Sequence, residues 1–589
     1  MNLQPQLNKL YATRRRRRES RRPRGVIVVV TGFCLVAVFA FVALSVDTSR
    51  MALTETRMQN AVDAAALAAA EEITAAVYDA GFDGGAPDSF AVIEAARQMA
   101  ADVAEANGVF IDKNADVSFG KRSYDAAAEE WPIVWGAQPY NVVRVESRKT
   151  NVDVTAPDGE LPLAFGWAVG RSQVPLRASA TAFVQARDLV VVLDFSGSMN
   201  YDSQLSSSLG VSAAEDILDS MWNTMVAADP KWPNTSTSKF RSGGFGEIDS
   251  YQGVYLSSSD TATIRSQLGL TVNENGSRKY PYPQGGRYSD GSPKPKPSNS
   301  SSDALWGRYI DFVKNHPVSS YKKRYGYRTM MDFLQQKKQS NGFEPRSRYA
   351  SEDMWRTPHQ PMDAVKNGAS LFLDVLTELD FGDEVGLVGY GEWAEQITGL
   401  SDGVVTIDVS GDPITANYNH IDNLQRHHQA GEFNGQTAMG DGIKQGSELL
   451  LGPNGDDGHA RHGARPTMLL MTDGITNQRP SGWSLPGSFQ WSDWTDFDGD
   501  GDADYSTSDA NKRYAFWEAT EAMKKGVTIH TLAVGSDADL DLMEAIAFAS
   551  GGLFISVPGN GVEDMEADLL QAFAQIAGKL PPAKLVFDQ

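Results

Sequence analysis

The longest apolar stretch of the chain lies near its N-terminus. Residues 25–46 form 22 consecutive positions without a charged side chain. A helix of that length is about 33 Å long, which matches the roughly 30 Å hydrocarbon core of a bilayer. Neither Gly nor Pro occurs between residues 47 and 80, so we expect the helix to continue beyond the bilayer. The pattern predicts a transmembrane helix that leads into an Ala-rich helical region.

Two kinds of periodicity follow this helix. A second amphipathic helix is predicted over residues 90–107, with Gly108 as its C-terminal cap. After it, apolar and polar side chains alternate with a period of two, which is typical of an antiparallel sheet with one solvated face. We therefore expect a helical region over residues 47–109 and an antiparallel β region over residues 110–187.

The rest of the chain alternates between apolar runs and amphipathic segments. Continuous apolar runs, typical of strands buried on both faces of a parallel sheet, cover residues 188–193, 383–390, 466–471 and 527–534. Helical patterns cover residues 362–379, 439–451, 513–525 and 540–550. This order predicts a doubly wound α/β domain over residues 188–580, with ligands at the carboxyl ends of its strands.

Two long polar segments interrupt this domain, and a short tail (residues 581–589) ends the chain. Residues 200–358 separate the first strand from its helix, and residues 477–510 follow the third strand. Helical patches are predicted within the longer insertion at residues 213–225 and 304–314. Because both insertions leave from strand ends, we expect them to border the ligand site and to influence partner choice. The alternative is that the two insertions are ornamental, that is, that they have no role at the ligand site.

Charge predicts how the chain is oriented in a membrane. Residues 1–24 hold nine basic side chains and one acidic one, so by the positive-inside rule this tail stays cytoplasmic and residue 47 onward is exported. A cleaved signal peptide is the alternative, although its apolar region usually has only about 7–15 residues. The net charge of −22 argues against nucleic-acid binding, and the single cysteine, Cys34, excludes intramolecular disulfides.

The sequence around the end of the apolar stretch resembles a known family. An Asp-x-x-Arg motif is followed by a Gln and an Ala-rich stretch, at Asp47, Arg50, Gln59, Asp63 and residues 64–70. This resembles the TadE/TadG-like segment of tight-adherence (Flp) pilus-assembly proteins. The resemblance implies a single-pass protein of the bacterial cytoplasmic membrane, with its bulk periplasmic or extracellular, that works with pilus-assembly components. An ordinary Ala-rich helix is the alternative.

Polar side chains stand at the predicted strand ends, at Asp194, Ser196, Ser198, Thr437 and Asp473. Their order resembles the von Willebrand factor A (VWA) domain and its metal-ion-dependent adhesion site, in which an Asp-x-Ser-x-Ser loop, a distant Thr and a further Asp surround one divalent cation. The resemblance implies bound Mg²⁺, or Mn²⁺ or Ca²⁺ in its place, with a coordination position open for an acidic residue of a protein partner. We expect Asp473 to face solvent.

The second insertion contains five closely spaced carboxylates, at Asp496, Asp498, Asp500, Asp502 and Asp504. Their alternation, with Gly501 at the sixth position, resembles the calcium loop Asp-x-Asp-x-Asp-Gly. Thr507 stands at the twelfth position, where such loops carry a bidentate Glu, so the expected Ca²⁺ affinity is low. The alternative is a solvated acidic loop.

Together these features predict a membrane-anchored, exported, metal-dependent binding protein of the tight-adherence pilus system. One alternative is a VWA subunit of a chaperone-like complex with an AAA+ ATPase, which the membrane helix disfavours because such ATPases are cytoplasmic. Another is a surface adhesin unrelated to pili. No phosphate-binding loop motif occurs, and we expect no enzymatic activity.

Overall fold

The computed structural model describes residues 26–586 with internal gaps. The gaps are residues 84–88, 201–253, 269–298, most of 317–360, 402–405, most of 429–435, 456, 536 and 559–561. The basic tail (residues 1–24) and the helical patch predicted at residues 213–225 therefore lie outside the described residues.

One long helix, α1 (Val26–Asp83), runs from the apolar stretch through the Ala-rich region. Its apolar part has a mean hydropathy of 2.6 and is long enough to cross a membrane, and no described part of the protein covers it. Helix α2 (Ser89–Ala106) packs beside the Ala-rich part. It ends before Gly108, whose φ of 73° confirms the predicted cap.

The alternating region forms an antiparallel sheet, as predicted. The strands of this region are β1 (Val117–Arg122), β2 (Ile133–Trp135), β3 (Val142–Lys149), β4 (Leu161–Pro162), β5 (Gln173–Val174) and β6 (Leu176–Phe183). Strands β4 and β5, which lie between β3 and β6 in the sequence, pair with each other in a separate two-stranded sheet. On the larger sheet of this region, alternate side chains such as Val143 and Val145 are buried in one hydrophobic cluster with Met58 and Val62 of α1.

The α/β part contains the remaining described helices and all but one of the remaining described strands. Its strands are β7 (Arg187–Asp194), β8 (Val254–Tyr255), β9 (Arg324–Tyr325), β10 (Glu384–Tyr390), β11 (Ala394–Gln396), β12 (Gly399–Ser401), β13 (Thr406–Asp408), β14 (Arg465–Thr472), β15 (Thr528–Val534) and β16 (Phe554–Val557). Its helices are α3 (Thr261–Gln267), α4 (Asn299–Lys314), α5 (Met362–Leu379), α6 (Tyr418–His427), α7 (Met439–Leu451), α8 (Ser492–Thr495), α9 (Ala510–Lys524), α10 (Leu540–Ser550) and α11 (Val562–Gly578).

In the described part of the chain, the main α/β sheet has six strands in the order β11-β10-β7-β14-β15-β16, and all are parallel except the edge strand β11. Side chains of β7 alternate between its two faces. Leu189 and Val191 pack with α5 and α11, whereas Val190 and Val192 pack with α7, α9 and α10. Burial on both faces explains the continuous apolar runs and confirms the doubly wound α/β fold.

The described part of the long insertion belongs to the α/β core. Helix α4 confirms the helical patch predicted at residues 304–314. Its side chains Trp306, Tyr309 and Ile310 are buried in the same cluster as Leu189 of β7. This part of the insertion therefore contributes buried side chains to the core of the α/β part.

The C-terminal tail returns to the first sheet. Strand β17 (Lys584–Val586) pairs antiparallel with β6, which gives that sheet the order β17-β6-β3-β1-β2. The amide of Ala583 also donates to Glu71 Oε1 of α1, at 2.7 Å. The antiparallel part and the α/β part are thus connected at both ends of the α/β part.

Candidate metal site

The candidate site lies where the winding of the parallel sheet changes direction. Strand β7 stands between β10 and β14. The chain passes from β7 to β10 on one side, and later to β14 on the other. In such sheets a crevice opens beyond the carboxyl end of the strand at the switch point. Asp194 is the last residue of β7, and Asp473 directly follows β14, so both carboxylates lie at this crevice.

Hydrogen bonds join four of the five predicted residues. Asp194 Oδ1 accepts a hydrogen bond from the backbone N–H of Ser196, at 2.8 Å. The hydroxyl oxygens of Ser196 and Ser198 are 2.9 Å apart. Ser198 Oγ donates to Asp473 Oδ1, at 2.7 Å. The structure therefore brings Asp194, Ser196, Ser198 and Asp473 into one oxygen-rich cluster.

Thr437 is held at the same edge by the segment that follows Asp473. Its N–H donates to Asn477 Oδ1 at 2.9 Å, and its carbonyl accepts from the Asn477 N–H at 3.0 Å. The carbonyl also accepts from Thr476 Oγ1 at 3.1 Å. Within the described residues, its own hydroxyl makes no hydrogen bond to the four clustered side chains.

The two carboxylates are buried, which corrects the expectation that Asp473 faces solvent. Asp194 and Asp473 are both 0% exposed. Desolvation raises the pKa of Asp194 to about 6. Desolvation, and then repulsion by Asp194, raise the pKa of Asp473 well above its usual range. A cation in the cluster would offset both effects.

One oxygen of the cluster accepts no hydrogen bond from any residue described in the structure. Asp473 Oδ2 is buried, and no donor in the described part of the chain reaches it. Leaving a buried acceptor unsatisfied costs about 1–3 kcal/mol, and more when it is charged. Carboxylate and hydroxyl oxygens are the ligands that hard divalent cations prefer. The residues of the cluster therefore fit a divalent cation.

Sequence reasoning missed two side chains that hold the cluster in place. Thr472 Oγ1 donates to Asp194 Oδ2 at 2.8 Å. The hydroxyl of Tyr390 donates to the carbonyl of Met471 at 2.7 Å, and Tyr390 pairs in register with Asp194. The predicted apolar strand segments end at Tyr390 and directly before Thr472. Aligning these strand ends with Asp194 would have placed both side chains beside the cluster.

The acidic loop brings three of its five predicted ligands together. Carboxylate oxygens of Asp496, Asp498 and Asp504 lie within 4.8 Å of one another. The loop folds around Asp496, which accepts from the amides of Gly499 at 2.8 Å and Gly501 at 3.0 Å. Both glycines have positive φ, at 78° and 95°, which a residue with a side chain rarely adopts.

The other two carboxylates, those of Asp500 and Asp502, are not members of this group. Asp500 Oδ1 instead accepts from the backbone N–H of Asp502, at 2.9 Å. The structure thus divides the predicted calcium ligands into a converging set of three and a separate pair.

The N-terminal segment is similar to a known protein family. Residues 25–72 match the model of a family described as putative Flp pilus-assembly TadE/G-like. This segment is therefore similar to that family. The match confirms the resemblance seen around Asp47 and Arg50, and it ends within α1, before the α/β part begins. No curated protein is significantly similar to the chain.

Several solved structures resemble parts of the chain at low identity. Proximal thread matrix protein 1 from the mussel byssus is 15% identical over 36% of this chain and 42% of its own, with a TM-score of 0.24. A von Willebrand factor type A protein from Catenulispora acidiphila is 17% identical over 37% of this chain and 38% of its own, with a TM-score of 0.23. The PilB minor pilin from Streptococcus sanguinis is 11% identical over 79% of this chain and 88% of its own, with a TM-score of 0.27. The chain spans less than half the length of the first two.

Proposed function

We propose that this protein is anchored in the bacterial cytoplasmic membrane by α1 and acts outside it in tight-adherence pilus assembly, by binding a partner protein through a divalent ion. The match of residues 25–72 to the pilus-assembly family supports the cellular role. The apolar part of α1 supports the anchor. The metal dependence rests on the buried Oδ2 of Asp473, which accepts no hydrogen bond from the residues that the structure describes.

Five side chains would hold the ion, namely Asp194, Ser196, Ser198, Thr437 and Asp473. Mg²⁺ suits this set best, because it is a hard cation that prefers oxygen ligands; Mn²⁺ and Ca²⁺ are the alternatives. When bound, such an ion supplies positive charge and an open position for a carboxylate of the partner. The protein orients the ligands: Thr472 fixes the carboxylate of Asp194, and Asn477 fixes the backbone of Thr437.

The experiment replaces Asp473 with Asn in a bacterium that produces this protein and its pili. Asp473→Asn keeps the shape of the side chain and removes its charge, so we expect the protein to reach the membrane at normal levels while piliation falls. Asp408→Asn is the matched control, because Asp408 is an exposed carboxylate of the same domain. Pili are counted by electron microscopy, and protein levels are measured by immunoblotting of membranes.

Unchanged piliation in Asp473→Asn, with normal protein levels, would contradict a metal-dependent role in assembly. Loss of piliation in both variants would instead indicate that the assay responds to any charge change in the domain. Co-purification of pilus-assembly proteins with the wild type in Mg²⁺, and its loss in EDTA, would identify the partner.

A further inference from the structure

A short turn in the antiparallel part presents two exposed aromatic side chains. Trp167 is 72% exposed and Phe165 is 41% exposed. They lie in and next to a 3₁₀ turn (Gly166–Val169) that Gly170 closes with a φ of 79°. Large exposed apolar side chains are costly in water, and several of them on one short segment of a folded protein often mark a surface that something else covers.

Helix α1 holds this turn directly at the end of its apolar part. The carboxylate of Asp47 accepts hydrogen bonds from the backbone N–H groups of Ala164 at 2.7 Å and Phe165 at 2.9 Å. Asp47 itself is buried beneath the turn. It is also the first residue after the uncharged stretch of residues 25–46. Two charge-assisted hydrogen bonds therefore fix the turn at this level of the helix.

The direction of α1 sets the level of the turn relative to the bilayer. Side chains of an α-helix tilt toward its N-terminus, which in α1 is the apolar end. The carboxylate of Asp47 thus points back toward the apolar stretch. Higher on the helix, Gln59 Nε2 donates to the carbonyl of Ser179 in β6, at 2.9 Å. At 1.5 Å per residue, that contact lies about 18 Å farther from the apolar stretch than Asp47 does.

We propose that Phe165 and Trp167 insert into the interfacial layer of the same bilayer that α1 crosses. This inference rests on the membrane anchoring proposed above. Aromatic side chains, Trp above all, are enriched at membrane–water interfaces, where an apolar ring and a polar N–H are both accommodated. We infer that lipid covers these side chains because Asp47 holds the turn at the end of the apolar part of α1. The exported part would then be held at the membrane by two features, α1 and the turn, and this would fix its tilt relative to the bilayer.

The test places a fluorescent reporter at the turn in the full-length protein. Cys34, the only cysteine, is first replaced by Ser. Phe165→Cys is then labelled with an environment-sensitive dye, which leaves Trp167 in place. Leu540→Cys, at another exposed apolar position (42% exposed) on α10, is the matched control. Both proteins are reconstituted into phosphatidylethanolamine–phosphatidylglycerol vesicles with and without lipids that carry a spin label near the headgroup.

We expect blue-shifted emission at position 165 that the spin-labelled lipid quenches, and neither effect at position 540. Adding Trp167→Ser should weaken the quenching, because the neighbouring ring no longer holds the turn in the interface. Vesicle-bound protein whose label at 165 behaves like the control would overturn the inference and leave the anchor intact. A blue shift without lipid quenching would also overturn it, in favour of cover by protein. Protein that does not float with the vesicles would refute the anchor itself.

Discussion

The carboxylate of Asp473 is buried beside that of Asp194, and one of its oxygens accepts no hydrogen bond from the described part of the chain. Two neighbouring carboxylates in a desolvated cluster are unfavourable when both are charged. A cation that binds only the folded protein removes that penalty, so metal binding and folding are linked at the level of these two residues.

Mg²⁺ should therefore stabilise the protein, and Asp473→Asn should abolish the effect. At 100 times its Kd, a ligand that binds only the folded state adds about 2.7 kcal/mol to the free energy of unfolding. For a domain of 150–250 residues this corresponds to a rise in Tm on the order of 5–11 °C. The measurement is thermal unfolding of the full-length protein in detergent, with Asp498 and Asp504 already replaced by Ala so that the acidic loop does not contribute. Asp408→Asn should keep the shift, and an unchanged shift in Asp473→Asn would refute the site.

The pH dependence of stability provides a second test of the same cluster. Burial raises the pKa of Asp194 to about 6, above its ordinary value of 3.8, so the folded protein holds this proton more tightly than the unfolded chain. Its contribution to the free energy of unfolding is therefore greatest at low pH and is lost as pH rises from about 4 to about 6. Metal-free urea unfolding at a series of pH values measures it as the difference between wild type and Asp194→Asn.

Mg²⁺ should reverse this loss above pH 6, where the carboxylate is charged, and its affinity should fall below pH 6 because protons compete for the same oxygens. A difference between the two proteins that does not change between pH 4 and pH 6 would contradict the raised pKa.

At the scale of elements, a buried ion pair ties the start of β7 to the loop before β10 and to the end of α11. The guanidinium of Arg187 contacts Asp383 Oδ2 through Nε at 2.9 Å and through a terminal nitrogen at 2.5 Å. It also donates to carbonyls at the C-terminal end of α11, at Ile576, Ala577 and Lys579. A cation suits that position because the last turn of a helix presents unpaired carbonyls.

Asp383→Ala should destabilise the protein by about 3–5 kcal/mol, because it leaves a buried arginine without its carboxylate. Lys121→Ala breaks the more exposed ion pair of Lys121 with Asp380 and should cost only about 0–1 kcal/mol. The measurement is the shift in urea midpoint, with m-values compared between variants. Similar midpoints for the two variants would contradict the role assigned to Arg187.

The acidic loop contains both converging carboxylates and carboxylates outside the group, and the latter provide a control for a test of Ca²⁺ binding. Millimolar Ca²⁺ should protect residues 493–509 from proteolysis, because an ion would hold the converging carboxylates together. Asp498→Ala with Asp504→Ala should abolish this protection, whereas Asp500→Ala with Asp502→Ala should retain most of it, since those two carboxylates lie outside the converging group. Mass spectrometry of the fragments identifies the cleavage sites. Equal loss in both double variants would instead indicate an effect of total charge.

At the scale of the whole molecule, the order of charge and hydropathy along the chain predicts its topology. Protease added outside spheroplasts should digest the protein beyond residue 47 and leave an N-terminal epitope on residues 1–24 intact. A cytoplasmic enzyme serves as the control for sealed cells. A large domain that is digested only after lysis would contradict export. Absence of the N-terminal epitope from the mature protein would indicate a cleaved signal peptide.

Much of the architecture followed from the sequence because burial dictates composition. A parallel strand covered on both faces must be apolar throughout, and the four predicted runs all proved to be strands of the main α/β sheet. Helices α5, α7 and α10 have the predicted bounds. Helix α9 begins at Ala510, three residues before the predicted start, because Asp509 caps it by accepting from the amides of Asn511 and Lys512.

The elements that sequence reasoning missed depend on distant partners. Strand β17 has only three residues, and its pairing with β6 joins segments about 400 residues apart. No local pattern specifies such a contact. The polar helix α6 likewise offers few apolar positions, although Ile421 and Leu424 are buried against the core.

The sequence by itself determined the apolar segment, the alternation of strands and helices, and the order of the loops that carry Asp194, Thr437 and Asp473, because hydropathy and spacing are properties of the chain. Only the tertiary structure decided that Asp194 and Asp473 are buried, that Asp473 Oδ2 accepts no hydrogen bond from the described residues, and that Asp500 and Asp502 lie outside the group formed by the other three acids of the loop. Burial, hydrogen bonding and convergence depend on where residues distant in sequence, or turns of the backbone, place their atoms. They arise only when the chain has folded, and the chemistry of the site depends on them.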